Sequence, residues 1–191
     1  RFFGYDAGFD QFQDFMDTDR ASDRIETDDR GGIVSELTDQ VISWWHGQDM
    51  FLSWDAYDDE ITTWLDEARE DDEPFFLWIF LVDVHMPYLP PAEYRTQSSP
   101  SAYAANAWLF GGAKQNIPLS GVLHDRLVAA YDSTVRFTDE FVDRLSDAID
   151  DDTALCVHAD HGEAFGEPDG YYGHGSLYEE TVHVPLFVAN H

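Results

Sequence analysis

Basic residues are the scarcest thing in this chain. Lysine occurs once, at Lys114, and lysine and arginine together number 10 against 39 acidic residues, a formal net charge of -29. With no basic patch to neutralise phosphates, nucleic acid is not expected as a partner. Cysteine is equally rare. Cys156 stands alone, so no disulfide framework is available, and its place in an apolar run makes it an expected small buried hydrophobe. Long apolar runs are missing too: Phe75 to Val82 stops at Asp83, far short of the ~20 residues a membrane-spanning helix needs. No signal-peptide pattern is visible and no methionine stands at Arg1, so an internal fragment is expected.

What is present supports a folded domain. Hydrophobic residues make up 43% of the chain and aromatic residues 15%, enough for a buried core, and one domain is the default for 191 residues. A folded domain with this charge repels itself strongly in dilute buffer. Near 1 M salt the Debye length falls to about 3 Å and the repulsion largely disappears. The composition therefore points to a protein of a high-salt cytoplasm. The same screening lets an acidic protein accept an anionic substrate.

Arg1 to Phe15 is glycine-containing and aromatic, and reads as a loop pinned by its aromatic side chains. Met16 to Arg30 is charged with few apolar anchors, so an exposed, mobile segment is expected. Helical spacing of apolar residues runs through Gly32–Trp45, Ala56–Glu70 and, longest of all, Gly121–Ile149. Phe75–Val82 is a continuous apolar run opened by Pro74, which predicts a strand buried on both faces. The proline-rich loop Asp83–Pro91 follows. Residues 92–120 lack periodicity and are expected to wander over the surface. Short strands are predicted at Thr153–Val157 and Val184–Ala189. Helices alternating with apolar strands argue for an α/β sheet with helices on both faces.

Asp160-His161-Gly162-Glu163 follows the predicted strand at 153–157. A carboxylate beside an imidazole at a strand's C-terminal edge is placed to hold a metal ion, at the edge where open α/β sheets put their ligands. Gly162 lets the chain turn there. Downstream come Gly173-His174-Gly175, Tyr178-Glu179-Glu180 and Val184-Pro185-Leu186; upstream stand His85-Met86-Pro87-Tyr88, Pro90-Pro91 and Tyr94. Gly4–Phe12 and Tyr131–Asp139 complete the set.

In that order and spacing, these pieces resemble the sulfatase branch of the alkaline-phosphatase-like superfamily. The resemblance spans most of the chain, apart from residues 16–74 and 95–120. It implies a three-layer α/β/α sandwich with a mostly parallel central sheet, incomplete at both ends, of which residues 1–191 are part of one catalytic domain. It further implies hydrolysis of a small-molecule or carbohydrate sulfate ester at a divalent metal. Asp160 and His161 match a pair of metal ligands. Ca²⁺ is the expected ion, with Mg²⁺, Mn²⁺ or Zn²⁺ as alternatives, a nitrogen ligand leaving room for the last two. His85 matches a substrate-contacting histidine, suited to give a proton to a leaving alkoxide. His174 sits where many relatives carry lysine or histidine near the transferred group's oxygens. Glu163 and Glu179 are candidate partners that orient His161 or His174. His183 receives no role.

Family members attack with formylglycine, serine or threonine in a motif of a small residue, proline and arginine in close succession. No such run occurs here. The nucleophile is therefore expected outside this chain, and the fragment is expected to be inactive alone. Two other readings stand beside the sulfatase one: a phosphodiester or phosphonate hydrolase or phosphotransferase on the same scaffold, and a non-catalytic descendant acting as a binding module.

Overall fold

A computed structural model describes residues 6–13, 53–70, 74–112, 119–167 and 169–190. The expected helix over Gly32–Trp45 and the expected mobile segment Met16–Arg30 lie outside these. The chain divides into two compact units, Arg1–Tyr57 and Asp58–His191. In the first, residues 6–13 form an irregular turn in which Gly8 has φ +94°. Phe9 and Phe12 are exposed. A 3-10 turn at Trp54–Ala56 buries Trp54, and Tyr57 after it is also buried.

The second unit begins with α1 (Asp58–Glu70), whose first turn holds Asp58, Asp59 and Glu60 and whose last turn holds Arg69, an arrangement that suits the helix dipole. Its buried residues, Ile61 and Leu65, are one turn apart on one face and share a groove with Phe141 and Leu145. Arg144 pairs with Asp58 across that groove, and Arg69 pairs with Asp150 at 3.2 Å.

Residues 92–112 correct the expectation of a surface loop over 92–120. Ala92–Tyr94 is a 3-10 turn, Ser99–Ala107 is helix α2, and Trp108–Gly112 continues as a π turn. Pro100 sits in the first turn of α2, where its missing N–H costs nothing. Ala102, Ala105 and Asn106 are buried, and these short side chains let α2 lie against the long helix α3 (Gly121–Ala148). Ser120 caps α3 by accepting from Leu123 N–H at 3.3 Å. Its inner face is Leu127, Ala130, Thr134, Phe137 and Phe141, alternating three and four residues apart. Tyr88, Ala105, Leu109, Leu127 and Ala130 form a core cluster, flanked by Met86, Tyr131, Phe165 and Tyr172.

Four short strands follow the helices: β1 (Leu155–His158), β2 (Ala164–Phe165), β3 (Tyr172–Gly173) and β4 (Leu186–Ala189), with the one-turn helix α4 (Glu179–Val182) before the last. β1 pairs antiparallel with β4, His158 opposite Leu186, and β2 pairs antiparallel with β3, Ala164 opposite Gly173. These pairs neither make nor exclude a larger, mostly parallel sheet.

Two burial expectations are corrected. Phe75–Val82 joins no ladder among the described residues, and Phe76, Trp78 and Phe80 are 77%, 47% and 60% exposed while Leu77, Ile79 and Leu81 are half-buried. That period of two means one face is covered, not both. Cys156 is exposed, because β1 also alternates and Cys156 falls on its outward positions with His158.

Candidate functional site

Three imidazoles converge in the second unit. One nitrogen each from His85, His161 and His174 lies within 4.8 Å of the others. The His161 and His174 rings are stacked with centroids 4.3 Å apart, and the His85 ring lies 5.0 Å from His174 and 6.3 Å from His161. Each histidine reaches this point from a different segment.

His85 stands in the loop after the apolar run, in a turn closed by its N–H on the Val82 carbonyl at 2.9 Å. A cis bond joins Met86 to Pro87. Tyr88, almost wholly buried, anchors the loop in the core cluster. Asn106 of α2 holds the backbone of Tyr88 from both sides: its Oδ1 accepts from Tyr88 N–H at 2.7 Å, and its Nδ2 donates to the Tyr88 carbonyl at 3.1 Å. The same Nδ2 also donates to the Ala102 carbonyl at 2.9 Å. A buried amide with these partners fixes the loop that carries His85.

His161 follows β1 through Asp160. The His161 N–H donates to Asp160 Oδ1 at 3.1 Å, and that same oxygen lies 3.9 Å from His161 Nε2. Gly162 N–H donates to the Thr181 carbonyl at 2.9 Å, so the segment after β1 runs beside α4. A Cβ on Gly162 would overlap the Glu180 carbonyl. The glycine is therefore required by close approach to a neighbouring backbone. Thr181 is itself held, donating to the carbonyls of Ser176 and Tyr178.

His174 leaves β3 just after Gly173, whose φ of +114° favours glycine. Its Nδ1 contacts both oxygens of Glu163, at 3.3 and 3.2 Å. The Glu163 side chain is only 6% exposed, and Oε2 also accepts the Tyr88 hydroxyl at 2.8 Å. Burial and the neighbouring Glu163 charge push the Tyr88 phenol far above the usual tyrosine range, so it stays a donor at any physiological pH. Tyr131, whose ring packs on Tyr88 at 5.3 Å, is raised by burial and then by Glu163.

Of the residues singled out from the sequence, His85, His161, His174 and Glu163 come together, with Asp160 exposed at the edge beside His161. Glu163 partners His174. Glu179 contacts neither ring; its Oε1 meets His183 Nδ1 at 3.0 Å on an exposed face, a pairing its four-residue spacing permits. Tyr88 and Asn106 were not assigned roles from the sequence, and no periodicity or motif spacing flags Asn106.

The donor set fits a divalent cation. An oxygen of Asp160 and a nitrogen of His161 at 3.9 Å separation are close enough to share one ion, and both residue types ligate divalent metals.

A family model described as Sulfatase matches residues 2–190. The chain belongs to the sulfatase family. Comparisons with curated proteins and with solved structures return no significant match. Family membership carries the alkaline-phosphatase-like α/β fold, and sulfate-ester hydrolysis with a divalent metal is the family's general chemistry. No helix among the described residues is long and apolar enough to cross a membrane.

Proposed function

We propose that the chain forms part of the catalytic domain of a metal-dependent sulfuric ester hydrolase, with Asp160 and His161 as metal ligands and His85 and His174 at the transferred sulfuryl group or its leaving group. The observation that carries this reading is the convergence of His85, His161 and His174 beside Asp160 in a sulfatase-family chain. A bound divalent ion, Ca²⁺ or another of its class, would supply Lewis-acid polarisation of a sulfuryl oxygen.

The proton inventory supports the roles of the two other histidines. His85 Nδ1 faces the Met86 carbonyl at 2.8 Å, and a carbonyl only accepts, so the Nδ1 proton is committed there. His85 Nε2 is then the atom that delivers a proton to a leaving alkoxide when the ring is charged. His174 Nδ1 is committed in the same way to Glu163, which orients the ring. Its Nε2 is left for an oxygen of the transferred group. The nucleophile is proposed to come from outside residues 1–191, as the family's small residue–proline–arginine run is not in this sequence.

The test is turnover of an aryl sulfate by the chain joined to its nucleophile-bearing region. Asp160→Ala should lower kcat/KM by at least about a hundredfold, since a ligand of a transition-state Lewis acid is lost. Unchanged turnover with metal still bound would refute the assignment. His85→Ala should harm alkyl sulfates more than activated aryl sulfates; equal losses would exclude a leaving-group acid. Faster cleavage of a phosphate diester than of a sulfate ester would move the substrate class to phosphorus.

A further inference from the structure

We infer that His85, His161 and His174 together form a three-imidazole site for a borderline transition-metal ion of the Zn²⁺, Co²⁺ or Ni²⁺ class. Its donor set differs from that of the oxygen-bearing pair Asp160–His161.

The inference comes from where the ring protons are. His85 Nδ1 faces the Met86 carbonyl at 2.8 Å, His161 Nδ1 faces the Gly162 carbonyl at 2.9 Å, and His174 Nδ1 faces the Glu163 carboxylate at 3.2 Å. All three partners are pure acceptors, so all three Nδ1 atoms carry the hydrogen. The lone pair of each neutral ring is therefore on Nε2. Three imidazoles fixed in one tautomer by an acceptor behind each ring is the arrangement that prepares histidine for metal binding, the outer partner setting ring orientation and raising basicity.

The three rings are also close together. Ring nitrogens of the three residues already fall within 4.8 Å of one another. Zn–N bonds of about 2.0–2.1 Å in tetrahedral geometry set nitrogens roughly 3.4 Å apart. Bringing those nitrogens to that separation takes about 1.4 Å per pair at most, and ring rotation is the movement that would turn each Nε2 toward a shared ion. Three nitrogen donors select borderline ions over Ca²⁺ or Mg²⁺, which demand oxygen. The ion would also occupy the Nε2 atoms of His85 and His174. It would then inhibit hydrolysis, a consequence that rests on the function proposed above, whereas the site itself does not.

The experiment is titration of the chain with Co²⁺ near neutral pH in about 1 M KCl, which screens the acidic surface. The readout is the visible ligand-field absorption. A band saturating at one Co²⁺ per chain and displaced by Zn²⁺ is expected, with excess Ca²⁺ competing only through the shared His161. His85→Gln and His174→Gln should each abolish it, while Asp160→Asn should leave it in place. Glu163→Gln keeps all three rings and removes only the orienting charge, so it should weaken Co²⁺ binding about 10–100-fold with the helical circular dichroism unchanged. It serves as the deciding variant if either histidine replacement fails to fold. No band at millimolar Co²⁺, or a Glu163→Gln variant that binds as tightly as the native chain, overturns the proposal. So does a band that survives both histidine replacements and disappears with Asp160→Asn. That last result would leave the Asp160–His161 metal reading standing, and the two readings would be told apart.

Discussion

Tyr88 donates its buried hydroxyl to Glu163 Oε2 at 2.8 Å, linking the loop that carries His85 to the carboxylate that holds His174. The link has a second anchor, because Asn106 grips the Tyr88 backbone on both its N–H and its carbonyl. Two site histidines from distant parts of the chain are thus oriented through one phenol, and α2 supplies the clamp beneath it.

Replacing Tyr88 by Phe keeps the ring against Tyr131 and Phe165 and deletes only the donor. Glu163, nearly buried, then loses a hydrogen bond to a charged group, and a loss of about 1–3 kcal/mol in unfolding free energy is expected. Urea unfolding in molar KCl measures it. A midpoint unchanged from the native chain would mean water replaces the phenol at no cost, and the orienting role would fall.

Gly162→Ala places a methyl group against the Glu180 carbonyl, where backbone rather than a flexible side chain must yield. Overpacking of this kind costs about 1–3 kcal/mol, and here it also threatens the Gly162 N–H bond to Thr181. The segment that moves carries Asp160 and His161. A reduced Tm together with weakened metal binding is the expected pair of outcomes, read by calorimetry on one sample. A variant matching the native chain in both would show that the two backbones can separate freely.

The elements that were legible in the sequence are those whose inward residues are large and apolar. α3 was expected over Gly121–Ile149 and ends at Ala148, because Leu127, Phe137 and Phe141 mark its inner face. α2 was invisible for the opposite reason: its inward residues are Ala102, Ala105 and Asn106, which leave no apolar stripe. Phe75–Val82 misled because an unbroken apolar run does not say which side is covered, and only alternate positions are. At the site, the motif residues His85, His161 and His174 were readable as types at a spacing, and they do meet. Asn106 and the hydroxyl of Tyr88 were not, since their importance lies in partners distant in the chain. Glu179, a candidate partner of His161 or His174 by sequence, lies in a helical turn where its four-residue spacing brings it to His183.

Alkaline pH should destabilise the fold through its tyrosines. Tyr88, Tyr131 and Tyr172 are all raised by burial first, with neighbouring acidic groups adding to it. Each folded value lies above the unfolded one of about 10, so the stability they contribute is complete below pH 10. As pH rises further, the unfolded chain releases protons that the folded chain keeps. Stability therefore falls, by up to about 1.4 kcal/mol per pH unit for a fully protected tyrosine such as Tyr88. Urea midpoints above pH 10 should drop, and Tyr88→Phe should flatten that drop. Ultraviolet titration should show a group of tyrosines that ionises only on unfolding. All nine tyrosines titrating together near 10 would contradict the burial argument.

Salt should act in the opposite sense to its usual effect on ion pairs. Arg69 with Asp66 and Asp150 and Arg144 with Asp58 are partly exposed, so each is worth about 0–1 kcal/mol and weakens as salt rises. Against them stands self-repulsion from a net charge of -29, which acts over the whole surface in dilute buffer, where the Debye length is about 10 Å at 0.1 M. At 1 M that length is about 3 Å, shorter than most separations between like charges on a surface. The repulsion removed exceeds what these pairs lose, so Tm should climb steadily with KCl. A rise beyond about 2–4 °C between 0.1 and 1 M corresponds to at least 1 kcal/mol in a chain of this size. Tm values that stay level or fall over that range would remove the case for adaptation to high salt. The excess of carboxylates would then need an explanation other than screening.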